Sequence, residues 1–311
     1  MKKRKIIGAA AAFASAEFLL SAYFYRRTMK RSKAKVERTM KMAGTDWNQY
    51  KDFIGKRKEY FLSKPHEDVW ITSDDGLKLH GTFFPNGDNR RVVLCFHGYT
   101  SEGMKDYIAL SDYYLRRGFA MLLADERAHG LSEGKYIGFG CLDRKDALGW
   151  LEWITGTCGE DVKIILHGTS MGAAAVLMAS GLKLPDQVKG IVSDCGFTSP
   201  KEVFTHVLHS MYHLPAFPII PIANVMNRKL AGYGMDECNA AREVKKSTTP
   251  TLFIHGSADT FVPCRMCEKL YENCGAKKWK LIIEGAAHAE SYYKDTKRYE
   301  EALDMLLKEV L

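Results

Sequence analysis

The stretch that most constrains this chain is Val162 to Ser180, VKIILHGTSMGAAAVLMAS. It opens on an apolar, β-branched run at Val162, Ile164, Ile165 and Leu166. It then turns through Gly168-Thr169-Ser170-Met171-Gly172 and continues as an alanine-rich helix pattern. Two glycines four residues apart allow a tight turn and let the helix pack closely on the strand. The pattern predicts strand, sharp turn and helix, with Ser170 at the tip in strained backbone and its hydroxyl exposed. Met171, at the helix start, aims its backbone N–H at the same place, where a developing oxyanion would sit. A bare G-x-S-x-G arises by chance in roughly one chain of this length in ten, so the flanking strand and helix carry the weight.

Charge is concentrated at one end. Residues 1–38 hold eleven Lys or Arg and two Glu, a net +9, whereas the whole chain carries +8. The body is therefore close to neutral. That distribution argues against a nucleic-acid partner and makes a membrane surface the expected partner of the N-terminus. Ile6 to Tyr25 is a twenty-residue run interrupted by Ser15, Glu17 and Ser21, set between Lys2-Lys3-Arg4-Lys5 and Arg26-Arg27. Its length matches a bilayer span, and an uncleaved anchor over residues 1–27 is expected. The alternative is a signal peptide cut after Ala14-Ser15-Ala16. Phe18-Leu19-Leu20 and Tyr23-Phe24-Tyr25 continue the apolar stretch past that point and count against it. The heavier positive flank on the C-terminal side favours a cytoplasmic body. So do the eight cysteines, several of them in apolar runs, which read as buried free thiols. Cys264-Arg-Met-Cys267 has no second pair and no histidine beside it, so no metal site is expected there.

Residues 28–64 read as a helical linker that docks on the body. Asp74-Asp75-Gly76 between two strand-like runs is a hairpin signal. From there to the C-terminus strands alternate with helices, which predicts one α/β domain over 65–311 with a largely parallel sheet covered on both faces. Residues 200 to about 245 break the rhythm. An insertion of that length is usually functional and is read as a lid, with Phe204, Leu208, Met211 and Phe217 lining an apolar substrate pocket. His206, His209 and His213 have a metal-like spacing, but no carboxylate sits among them.

Three groups stand at the C-terminal ends of predicted strands in the order Ser170, Asp259, His288. Nucleophilic acyl transfer needs a base to take the serine proton and a carboxylate to orient that base. Asp194 also follows a strand and is the competing carboxylate; it is expected instead to hydrogen-bond backbone N–H groups near Thr198.

Taken together, these motifs resemble the α/β-hydrolase superfamily, especially its bacterial serine-esterase branch similar to Bem46-type and monoglyceride-lipase-like hydrolases. The resemblance is carried by Ser73 through Leu77, His97-Gly98-Tyr99, Asp125 through Gly130 with Ser132, His167 through Gly172, His255 through Asp259 with Val262-Pro263, and Gly285 through His288. It implies an α/β-hydrolase fold with a lid, no cofactor, a small-molecule or lipid-like ester substrate, and the Tyr99 N–H as second oxyanion donor beside Met171. One departure is Ala128, where relatives often carry glycine. A peptidase, a thioesterase or a non-catalytic tethered scaffold of the same fold are the alternatives it leaves.

Overall fold

The alternation read from the sequence becomes one eight-stranded sheet. The computed structural model describes residues 2–31 and 44–311. Helix α1 (Lys2–Met29) comes first, followed by a 3-10 turn at Trp47–Tyr50 and α2 (Lys51–Leu62). A hairpin of β1 (Glu67–Thr72) and β2 (Lys78–Phe84) leads to β3 (Arg91–Phe96), α3 (Gly103–Arg116) and β4 (Ala120–Ala124). Then come α4 (Asp143–Cys158), β5 (Lys163–Thr169), α5 (Met171–Ala179) and β6 (Val188–Asp194). The lid region carries α6 (Pro200–Tyr212), α7 (Ile219–Leu230) and the short α8 (Ala240–Glu243). The chain closes with β7 (Thr251–Gly256), α9 (Arg265–Asn273), β8 (Lys278–Ile283), α10 (Ser291–Lys294) and α11 (Thr296–Val310).

Strand order is β1-β2-β4-β3-β5-β6-β7-β8. The β1–β2 and β2–β4 pairs are antiparallel, and every pair from β4 to β8 is parallel. Strands buried on both faces need continuous apolar runs, and the period of two sorts those runs between two cores. Val92, Leu94 and Phe96 of β3 join one cluster, with α4, α5 and the lid; Val93 and Cys95 join the other, with α3 and α11. Ile164 and Leu166 against Ile165 repeat the pattern on β5.

The N-terminal helix corrects an expectation. No helix among the described residues is long and apolar enough to cross a membrane. The run Ile6–Tyr25 has the length of a span, but alanine, serine and Glu17 dilute it. Towards its C-terminal end, Leu20, Phe24 and Tyr25 pack on the protein itself, whereas Phe18, Leu19 and Tyr23 are exposed. Ser21, Tyr25 and Met29, spaced four apart along one helix face, are buried, and α1 packs on α7. Beyond α1, the Arg31 guanidinium donates to the carbonyls of Gly130 and Ser132, and Lys30 bridges to Tyr136. Of the expected linker, residues 32–43 lie outside the described region. Farther on, α2 lies on α3, with Phe61 stacked on Phe84 at 4.1 Å and Arg57 paired with Asp112.

Helix α7 was hidden by prolines. Of Pro215, Pro218 and Pro221, the last sits in the first turn of α7, where no intrahelical N–H bond is lost.

Candidate active site

Ser170 joins the C-terminal end of β5 to α5, with φ 54° and ψ −106°. The left-handed φ is strained for a side-chain-bearing residue, and close packing on both sides imposes it. A Cβ on Gly168 would stand 2.3 Å from the Gly172 carbonyl oxygen, and one on Gly172 would stand 2.1 Å from the Phe96 carbonyl oxygen. Both positions therefore require glycine. The Ser170 N–H donates to the Asp194 carbonyl at 2.8 Å, and the Gly172 N–H donates to the His97 carbonyl at 3.0 Å. The turn is thereby fixed to the strands on either side.

The three residues singled out at strand ends meet in one hydrogen-bonded chain. Ser170 Oγ lies 2.8 Å from His288 Nε2, and His288 Nδ1 lies 2.7 Å from Asp259 Oδ2. Asp259 Oδ1 accepts from the N–H groups of Phe261 and Val262 at 3.0 and 2.8 Å. All three side chains are buried. Burial opposes ionisation of Asp259, but His288 and His255 outweigh it and hold the carboxyl well below the usual carboxylate range. With Asp259 anionic, Nδ1 of His288 carries the proton and Nε2 is left to accept from Ser170.

His255 entered the sequence reading only as part of the motif His255 through Asp259, with no role of its own. It stands on the other side of the same carboxylate, with Nε2 3.3 Å from Asp259 Oδ2 and 2.8 Å from the Val262 carbonyl. Burial lowers its pKa, but the bonds to Asp259 and Cys267 reverse that and raise it well above the ordinary imidazole value. Cys195 Sγ also lies close: with one oxygen of Asp259 and one ring nitrogen of His288 it forms a group within 4.8 Å.

Asp194 is not bound as expected. Its Oδ2 accepts from the Tyr299 hydroxyl at 3.0 Å, on the C-terminal helix rather than near Thr198. A ladder continues from there beneath the turn. Tyr299 Oη lies 3.2 Å from His167 Nε2, and His167 Nδ1 accepts from the Tyr114 hydroxyl at 2.8 Å. Burial lowers the His167 pKa to about 3 and keeps the ring neutral. Burial also pushes the Asp194 carboxyl up to about 6.

The loop after β3 runs beside the serine; a Cβ on Gly98 would lie 3.5 Å from that of Ser170. Asp106 holds this loop by accepting from Gly98 N–H at 2.7 Å and from the Ser101 hydroxyl. Thr100 N–H donates to His129 Nε2 at 3.2 Å. Tyr99 is held from above, its hydroxyl donating to the Thr28 carbonyl of α1 at 2.9 Å. In the neighbouring loop Ala128 has φ 63°, the left-handed region in which glycine is unstrained. The departure at this position thus falls where the backbone favours glycine.

A cavity of about 100 Å³ opens from Ser170. Phe204 and Leu208 line it, but Met211 and Phe217 do not. Tyr212, not Met211, reaches the cavity from the last turn of α6, and Phe217 points outward at 77% exposure. The unexpected wall is α1, which contributes Phe24, Tyr25, Arg27, Thr28 and Met29. The histidines with metal-like spacing go separate ways: His206 Nε2 bonds the Thr260 carbonyl, and His209 Nε2 accepts from Ala216 N–H. The eight cysteines are free thiols.

A mostly parallel sheet of this order, with a serine on a strained turn after its central strand and an acid and histidine after later strands, defines a class. The chain has the α/β-hydrolase fold. The profile described as serine aminopeptidase, S33, matches residues 87–228, a little under half of the chain. YqkD of Bacillus subtilis is 28% identical over 237 residues, 76% of this chain and 77% of that one. Among solved structures, the Pyrococcus furiosus esterase Pf2001 superposes with a TM-score of 0.65 at 22% identity, covering 81% of this chain and 93% of that one. The ferulic-acid-bound Est1E of Butyrivibrio proteoclasticus superposes with a TM-score of 0.59 at 18% identity, covering 78% and 98%.

Proposed function

We propose that this chain is a serine ester hydrolase acting on apolar acyl esters. The observation that carries the reading is the Ser170–His288–Asp259 chain opening onto an apolar cavity. In this mechanism His288 Nε2 takes the proton as Ser170 Oγ attacks the ester carbonyl. The carbonyl oxygen becomes an oxyanion, received by the N–H of Met171 and that of Tyr99. Met171 opens α5, so its N–H has no acceptor within the helix. The imidazolium, stabilised by Asp259, returns its proton to the leaving alkoxide as the acyl-enzyme forms. Water, deprotonated by His288, then releases the acid and restores Ser170.

The name of the matched profile raises a second reading, an aminopeptidase. A site for a free α-ammonium group needs a carboxylate in the substrate cavity, because a buried charge must be paired. Among the described residues, neither Asp nor Glu lines the cavity, which favours the ester. The test is labelling by a fluorophosphonate, followed by hydrolysis of an ester series with matched amides and thioesters. Ser170→Ala should abolish labelling and lower ester hydrolysis by at least ~10³-fold. Activity within tenfold of wild type would remove Ser170 from the reaction.

A further inference from the structure

His288 stands on a loop without regular structure, residues 284–290, between β8 and α10. The first half of that loop is tied to the loop that carries Asp259. Gly285 N–H donates to Ser257 Oγ at 2.9 Å, and the Ala286 carbonyl accepts from Ala258 N–H at 3.0 Å. The second half is tied to a segment 240 to 243 residues away in the chain. Thr45, itself buried, donates its hydroxyl to the backbone carbonyl of His288 at 2.8 Å. Tyr50 donates to Glu290 Oε1 at 2.6 Å and Gln49 Nε2 donates to the same oxygen at 3.3 Å. The other oxygen of Glu290 accepts from Ala287 N–H at 2.7 Å. The backbone is thus held just before the histidine and at the histidine's own carbonyl; Ala289 N–H adds a bond to the Cys195 sulfur. Trp47 and Tyr50 both pack on Tyr293, with ring centroids 5.2 and 5.1 Å from it. Gly44 lies against the neighbour of Asp259: a Cβ on it would stand 3.8 Å from Thr260 Oγ1.

Resting on the serine-hydrolase chemistry proposed above, we infer that residues 44–50 are a strap that positions the general base, with Thr45 and Tyr50 as its positioning residues. The bond from His288 Nδ1 to Asp259 orients the ring but does not fix where the backbone beneath it lies. The strap supplies that second constraint and keeps Nε2 at 2.8 Å from Ser170 Oγ. The distance matters twice in each turnover, because the same nitrogen takes a proton from serine and later from water. A misplacement of about 1 Å can cost ~10²-fold in rate. Without the Thr45 hydroxyl, the buried His288 carbonyl loses its donor, and the loop shifts to find another. The competing account is that the strap adds only to the stability of the fold. Phe61→Leu is the control for it, since Phe61 stacks on Phe84 in α2 and touches neither the histidine loop nor the cavity.

The experiment measures three quantities on the full chain: the rate constant for fluorophosphonate labelling of Ser170, kcat and KM on a chromogenic ester, and the unfolding midpoint. The variants are Thr45→Val, Thr45→Ser, Tyr50→Phe and Phe61→Leu. Thr45→Val should lower kcat and the labelling rate by about tenfold with KM within about twofold. Thr45→Ser keeps the hydroxyl and should stay within about twofold of wild type in all three. Tyr50→Phe keeps the ring on Tyr293 and should lower both rates about threefold; it carries the test alone should Thr45→Val not fold. Phe61→Leu should lower the unfolding midpoint and leave both rates within about twofold. Rates within twofold of wild type in both Thr45→Val and Tyr50→Phe overturn the inference. So does an equal loss in Thr45→Ser, or a loss in Phe61→Leu as large as that in Thr45→Val. If wild type labels but cleaves no ester, the ester reading fails and the strap is judged on labelling rates alone. If Ser170 does not label, the serine-hydrolase reading fails and takes this inference with it.

Discussion

Removing residues 1–31 should change which esters the enzyme prefers, not whether it can attack one. The Ser170–His288–Asp259 chain and the elements that carry it lie beyond residue 44. The cavity, by contrast, loses the wall made by Phe24, Tyr25, Thr28 and Met29. If three or four methylenes of a long acyl chain rest on that wall, at about 0.8 kcal/mol each, their exposure costs roughly 3 kcal/mol, or ~10²-fold in kcat/KM. An acetyl group does not extend that far, so acetate esters should stay within about threefold, allowing for a loosened Tyr99 once its Thr28 partner is gone. The assay is kcat/KM for matched acetate and dodecanoate chromogenic esters on full-length and truncated protein. Fluorophosphonate labelling of Ser170 counts intact sites in each preparation. A dodecanoate-to-acetate ratio unchanged by the truncation would show that α1 does not touch substrate. Equal loss on both esters would trace the defect to the triad or the oxyanion loop.

The two acids near the site should separate cleanly. Asp259→Asn should lower kcat by ~10⁴-fold, because an amide no longer holds the imidazole tautomer or its charged form, and should also lower stability at neutral pH, because a carboxyl held below its usual range stabilises the fold there; a loss in kcat below tenfold would move the orienting role elsewhere. Asp194→Asn should leave kcat within severalfold and keep the bond to Tyr299, while altering stability with pH. The folded protein holds the Asp194 proton up to about pH 6, whereas the unfolded chain releases it near 4. This contribution is complete at low pH and is lost as pH rises through about 6. The variant should match wild type in unfolding free energy at pH 4 and exceed it by up to about 3 kcal/mol at pH 7. Chemical denaturation at the two pH values is the check, and a difference that does not vary between them would refute the burial argument.

The turn around Ser170 was legible because its requirements are local. Two glycines, a preceding apolar strand and a following small-residue helix appear together in nineteen consecutive residues. The parallel sheet was legible from the same logic, since strands covered on both faces cannot hide polar residues. What escaped depended on partners distant in the chain. Tyr25 and Met29 are spaced like any amphipathic helix face, and the same pattern fits lipid or α7 equally well. Only the fold shows that α7 and Ile137 take that face, the Met29 carbonyl accepting from Ile137 N–H at 2.8 Å. His255 carries no local sign that a second histidine flanks Asp259. Met211 and Phe217 were chosen for apolarity, but the way α6 and the turn after it sit on the body gave the cavity to Tyr212 instead.

The packing of α1 on α7 also sets an order of events in time. About 190 residues separate the end of α1 from the start of the helix that receives it. At roughly 5–20 residues per second of synthesis, some 10–40 s pass before α7 exists. Throughout that interval α1 is basic and apolar, and its eventual partner in the chain has not been made. This wall of the cavity is thus synthesised well before the helix that seats it, and any cellular factor that recognises such segments meets α1 before α7 is made.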